Sequence, residues 1–398
     1  MIKNMSLFII VLVFIGLGVG CNPQEKPTET AQVNQAYTKT ITPILTDQVT
    51  STPTIKKTTE IPPHPITSTP KSIPSDLNGI LTTNDFTIDF ENGERESTSK
   101  NFADLGCDVL TGYSRVQDLI LCVDGLFQDY FSYSFVTQEV TNLSLPGELD
   151  IIQLIDDGQK IFGAKRISFT AFSSPFYILE RDTYAIEAEY NIEGYVGIPA
   201  ISESGTIAYI VYDGLQQVVI VEGENVFLRL KGDLFGKKNT IQGLSWSPDG
   251  TMLAIGVSSI QEAFPPLTGL FVYDITEGQI IAYDQVIGSK QFQSFSRVED
   301  DLNFHIGFPI EIWALDNSMI SLATTSNELC ILYVNREVLQ CDDISNPVKY
   351  TTWSPDSQYI AVVSLNNAIK IYEVSTLEKM YEISDHGFVK IIYWKESD

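Results

Sequence analysis

Leu244-Ser245-Trp246-Ser247-Pro248-Asp249-Gly250 and Thr352-Trp353-Ser354-Pro355-Asp356-Ser357 are two copies of one phrase. The other two tryptophans of the chain stand in worn versions of it, Trp313-Ala314-Leu315-Asp316 and Trp394-Lys395-Glu396-Ser397. Each Trp closes a short β-rich run. After the first three, a turn leads into a second apolar run. Asp and Gly suit the turn backbone and Pro presets its φ, so the phrase reads as one hairpin reused along the chain, with the indoles as wedges between its copies. Aligning the turns places Asp157, Ser204, Asp249, Asp316 and Asp356 at equivalent positions, with spacings of 47, 45, 67 and 40 residues.

A four-stranded propeller blade takes about 40 to 45 residues, so each spacing but one is a single blade. A hairpin between Cys107 and Cys122 precedes the series by one repeat and Trp394 follows by one, which makes seven blades, with six or eight left open. Phe388 to Trp394 supplies just an innermost strand. Its neighbours are expected from Ile80 to Glu91, which would close the ring and remove a free sheet edge. No long segment after residue 77 has a helical period, and the fold class is all-β.

These phrases resemble the WD40-like repeats of the TolB propeller and related bacterial envelope proteins. The resemblance spans about 80% of the chain and implies the fold. The N-terminal domain of TolB has no counterpart here, so TolB's partners are not implied. The Gly-His and Trp-Asp pairs of cytoplasmic WD40 repeats are absent.

Three segments are expected: 1–21, 22–76 and 77–398. Leu7 to Gly20 carries no charge, too short a run for a spanning helix but suited to a secretory signal. Its end, Leu17-Gly18-Val19-Gly20-Cys21, resembles the bacterial lipobox, although Gly18 replaces the usual Leu. That resemblance implies cleavage before Cys21, lipidation of its thiol and an extracytoplasmic, membrane-anchored protein. Residues 22–76 hold nine of the eighteen prolines, thirteen Thr, four Ser and no Gly, a composition that builds no core and reads as a disordered tether.

The chain has 25 basic and 51 acidic residues; removing the six and five that precede residue 77 leaves 19 and 46, a charge of −27. Such a field repels nucleic acid and anionic lipid, so membrane contact is expected through the lipid anchor alone. Cysteine spacing agrees with an oxidising compartment. A two-residue turn at Asn335-Arg336 would set Cys330 opposite Cys341, and Cys107 and Cys122 flank Ser114-Arg115, so two local disulfides are expected.

No catalytic constellation emerges. The chain has three His, no Gly-x-Ser-x-Gly elbow and no P-loop, and its Asp pairs lack calcium-loop spacing, so no cofactor, metal or catalytic residue is assigned. The 67-residue spacing is the exception. Two insertions, Ser258 to Thr268 and Asp284 to Pro309, fall on connections that share one propeller face. They carry Phe264, Pro265, Phe292, Phe295, Arg297, Phe304, His305 and Phe308, and a looser blade-two loop adds Phe172 and Phe176. Aromatics with a few charges suit protein or glycan contact. The sequence thus favours a monomeric platform for an envelope protein or polysaccharide. The alternatives are a glycan hydrolase or lyase using Asp300, Asp301 and His305, and a purely structural spacer.

Overall fold

The structure, a computed structural model, describes residues 77–397 apart from 84–85, 98–108, 124–129, 144–148, 169–170, 214–215, 224–226, 232–239, 260–265, 294–311, 365, 367 and 384–390. Residues 1–76, on which the expected signal segment, Cys21 and the expected tether fall, therefore lie outside the described residues.

Seven antiparallel sheets form a seven-bladed β-propeller. The first three strands, β1 (Ile80–Thr83), β2 (Phe86–Asp89) and β3 (Arg95–Ser97), are the outer strands of blade seven. Blade one is β4 (Val109–Ser114), β5 (Leu119–Val123), β6 (Tyr130–Ser134) and β7 (Val140–Leu143). Blade two is β8 (Leu149–Ile155), β9 (Lys160–Ser168), β10 (Ala171–Glu180) and β11 (Ile186–Tyr190). Blade three is β12 (Tyr195–Ile201), β13 (Ile207–Asp213), β14 (Gln216–Glu222) and β15 (Phe227–Lys231). Blade four is β16 (Thr240–Trp246), β17 (Met252–Ser258), β18 (Gly269–Asp274) and β19 (Gln279–Ala282). A helical turn, α1 (Asp284–Ile287), follows it. Blade five is β20 (Met319–Ala323), β21 (Glu328–Tyr333) and β22 (Val338–Asp343), and its inner edge is marked, among the described residues, by the Trp313–Ile320 bridge. Blade six is β23 (Val348–Trp353), β24 (Tyr359–Ser364), β25 (Ile369–Glu373) and β26 (Lys379–Ile383), and β27 (Ile391–Lys395) completes blade seven.

Burial follows position in the blade. The second strands are covered on both faces by neighbouring blades, so β17 and β24 read as unbroken apolar runs and are buried nearly throughout. Outer strands such as β19 leave their end residues exposed. The tryptophans wedge between blades as expected. Trp246 donates its indole N–H to the Ala200 carbonyl at 3.2 Å, Trp313 to Ser245 at 3.1 Å and Trp353 to Ile312 at 3.3 Å, each acceptor lying on the inner edge of the preceding blade. A buried Trp thus fills the gap and satisfies its polar atom, and truncating one to Ala costs about 3–5 kcal/mol. Trp394 differs in donating to Asn78 at 2.9 Å, across the closure of the ring.

That closure joins the two ends of the domain: β27 pairs antiparallel with β1, Ile80 opposite Lys395 and Leu81 opposite Trp394. Gly79 has φ +85°, and a Cβ there would collide with the Lys395 carbonyl, so the chain can enter beside β27 because residue 79 is glycine. Asp118, in the turn after β4, bonds the Tyr393 hydroxyl at 2.9 Å and the Lys395 ammonium at 2.5 Å, fastening blade seven to blade one. Burial, then the Asp118 carboxylate, hold the Tyr393 hydroxyl well above its ordinary pKa.

Three local readings need correction. The Cys330 hairpin keeps its expected register, Cys330 opposite Cys341, and the disulfide is formed, with Cα atoms 4.0 Å apart. Its connection, however, is four residues, because Val334 is buried and donates to the Ser318 carbonyl while Glu337 turns left-handed. In blade one the hairpin centres near Val116-Gln117, and Cys122 lies opposite Leu110. Cys122 is disulfide-bonded, while Cys107 is outside the described residues. In blade two, the expected loop of Phe172 to Phe176 is part of β10, where a bulge accommodates Ser174-Pro175.

Candidate functional site

The chain's antiparallel blades put two kinds of connection on each rim. Turns from first to second and third to fourth strands share one rim, and the remaining connections share the other. Both insertions fall on the latter, and the structure ties them together. Leu267 and Phe292 exchange backbone hydrogen bonds at 2.7 and 2.9 Å, and Phe292 bridges onward to Thr324 of blade five. Gln293 donates to Ala323 at 2.8 Å and Thr325 to Gln291 at 2.9 Å. The result is a three-segment ladder spanning the seam between blades four and five.

Sequence explains each rung. Thr268 closes the stem of the first insertion, donating its N–H to Val257 at 2.8 Å and accepting the Ser259 N–H on its hydroxyl at 3.0 Å. Leu267 and Phe292 turn inward into a cluster with Tyr283, Ile287, Trp313 and Cys330. Tyr283 reaches across the seam to donate to the Val334 carbonyl at 3.0 Å, and burial pushes its hydroxyl pKa up. Lys290 clamps Glu328 of β21 at 2.6 and 2.7 Å, and this ammonium holds the Glu328 carboxyl below its usual range.

The antiparallel ladder sets Pro266 beside Gln293. The first insertion therefore returns to the ladder next to the point where the second leaves it, bringing the stems of 260–265 and 294–311 together. Phe264, Pro265, Phe295, Arg297, Phe304, His305 and Phe308 lie outside the described residues, as do Asp300 and Asp301. Phe292 is 1% exposed and serves as a peg under the ladder. Phe176 is fully buried, stacked on Phe162 with centroids 5.7 Å apart and edge-on to Tyr195 at 4.9 Å. Neither ring can contact a partner, so both leave the list of binding residues. Phe172 sits opposite Arg166 in the β9–β10 hairpin.

Leu267, Thr324, Lys290 and Glu328 shape the site and escape sequence reasoning. The Lys290–Glu328 pair joins residues 38 apart, a distance at which no local pattern signals contact. Leu267 between Pro266 and Thr268 carries a weak signal, an apolar residue resuming just before a strand.

No protein-family model and no curated protein sequence matches this chain. Among solved structures, it is similar to a chain of the crystal structure of the mitotic checkpoint complex at 13% identity, with a TM-score of 0.48 over 73% of this chain and 81% of that one. It is also similar to the Myceliophteria thermophila Cps50 (Swd1) beta-propeller domain, at 11% identity and a TM-score of 0.47, covering 71% and 87%.

Proposed function

We propose that the protein is a lipid-anchored, extracytoplasmic propeller whose rim at the seam of blades four and five binds an envelope protein or polysaccharide. One observation carries this reading: the Leu267–Phe292–Thr324 ladder gathers the stems of both insertions on a single rigid base. Long connections tolerate variation, whereas a buried peg and a bidentate ion pair beneath them fix where they start. A spacer would need no such base. The aromatic and charged residues of 260–265 and 294–311 are the contact residues of this proposal. Leu77 to Gly79, by contrast, occupies the position of an inner turn on the opposite rim.

The test is capture from envelope extract on the full chain and on a variant with 260–265 and 294–311 shortened. A protein or glycan retained by the first and lost by the second, with unchanged thermal unfolding, is the expected result. Equal retention by both, or none by either, overturns the binding face. A parallel Cys21→Ser chain is expected to lose an N-terminal acyl mass and its membrane fractionation; unchanged fractionation overturns the anchor alone.

A further inference from the structure

We propose that the outer edge of blade one is a self-association surface, on which two copies pair β7 against β7 across a two-fold axis. This surface lies away from the ladder rim and is independent of what that rim binds.

The chemistry of the outer strands singles it out. A propeller's fourth strands are its exposed edges, and charged side chains ordinarily protect such edges from adding another strand. Here β3 carries Arg95 and Glu96, β11 Glu187 and Glu189, β15 Arg229 and Lys231, β22 Asp342 and Asp343, and β26 Lys379 and Glu382. By contrast β7, Val140-Thr141-Asn142-Leu143, has no charge, and its first three residues are exposed. The uncharged β19 is different, because Ile280 and Ile281 are half-buried and just Gln279 and Ala282 are exposed. Among the described residues, β7 pairs with β6 alone. Three of the most exposed large apolar residues also gather on this blade: Val140 on β7, Val136 in the turn that leads into it, and Val116 in the adjoining turn. A hydrogen bond from Phe135 N–H to the Asp118 carbonyl, at 2.9 Å, joins those two turns.

Charge chooses the occupant. A cationic partner, which the −27 domain otherwise favours, finds one carboxylate, Glu139, between Tyr130 and Leu143. For a second copy the same feature is an advantage, since two strongly acidic domains approach at least electrostatic cost where neither presents charge. The strand is also self-complementary. An axis through Thr141, perpendicular to the sheet, sets Thr141 of each copy opposite Thr141 of the other and Val140 opposite Asn142, as an isologous contact requires. This departs from the monomer expected from sequence.

Sedimentation equilibrium of the full chain carrying Cys21→Ser, from about 1 μM to about 1 mM, tests this over the range in which small interfaces dissociate. A concentration-dependent dimer is expected. Thr141→Lys sets two ammonium groups against each other across the axis and is expected to raise the dissociation constant about tenfold or more. Gln279→Lys makes the same change in net charge on another outer edge and is expected to leave association unchanged. Thr141→Cys is expected to give an interchain disulfide under mild oxidation, and Gln279→Cys none. A monomer at every concentration overturns the proposal. So does a dimer that Thr141→Lys and Gln279→Lys weaken equally, or that neither weakens.

Discussion

Closure of the ring rests on one carboxylate whose contribution can be worked out. Asp118 lies in blade one, yet its oxygens bond Tyr393 at 2.9 Å and Lys395 at 2.5 Å, on a strand 275 and more residues away. The ion pair is largely desolvated, with side chains 14% and 12% exposed, so it falls outside the weak surface class. Removing one partner of a buried pair strands the other's charge, and Asp118→Ala is expected to cost about 3–5 kcal/mol. Asp118→Asn keeps an acceptor for Tyr393 and tolerates the observed φ of 47°, so it should cost less, about 1–3 kcal/mol. Each kcal/mol lowers Tm by roughly 2 °C in a domain of this size, so Asp118→Ala should unfold about 6–10 °C earlier. Adding Lys395→Met should recover part of the loss, since removing both partners costs less than removing one. Hydrogen exchange locates the effect: amides of β1 and β27 should exchange faster while those of β17, in blade four, change less. An Asp118→Ala protein that melts within about 2 °C of the parent, or exchanges faster uniformly, would refute the clasp.

Three further outcomes follow from the ladder and its surroundings. Phe292→Ala should cost about 3–5 kcal/mol by calorimetry and speed proteolysis within 260–265 and 294–311; unchanged cleavage would mean the peg does not hold the insertions. Because Lys290 depresses the folded-state pKa of Glu328, that pair's contribution is complete above the unfolded value of 4.5 and is lost as pH falls through the lower folded value. Exchange at Gln293 and Thr325, the amides that donate in the ladder, should therefore accelerate in acid relative to blade six, and Glu328→Gln should remove the difference. Replacing Cys330 and Cys341 together by Ala should cost up to about 3 kcal/mol by denaturant titration, the chain-entropy value for a loop of this length; no change would mean the hairpin register alone suffices.

The repeat made the ring legible because each Trp phrase states a local requirement. The indole needs an acceptor on the preceding blade, and the turn needs Asp or Gly, so Trp246, Trp313 and Trp353 could be read without knowing what they touch. Closure was legible for a different reason, since Phe388 to Trp394 reads as a single inner strand and Ile80 to Glu91 as β-rich sequence ahead of the first repeat, each supplying what the other lacks. The Asp118 clasp was not, because a lone Asp in a turn looks the same whether it caps its own turn or reaches another blade.

Aromatics in the insertions posed the opposite problem. An aromatic in a long loop serves equally as a contact residue or as a peg, and composition does not separate the two. Phe292 proved a peg because Leu267 and Thr324 offer backbone partners on either side of it, while Phe176 proved core because a bulge returns β10 to register after Pro175. A rigid repeat answers to packing at nearly every position, so the segments free to take on a partner are those the repeat does not constrain. At the seam of blades four and five, one insertion returns to the ladder beside the point where the other departs. On the proposed binding face, shortening either insertion alone should remove most of the binding; a loss of about half would mean that the two insertions act separately.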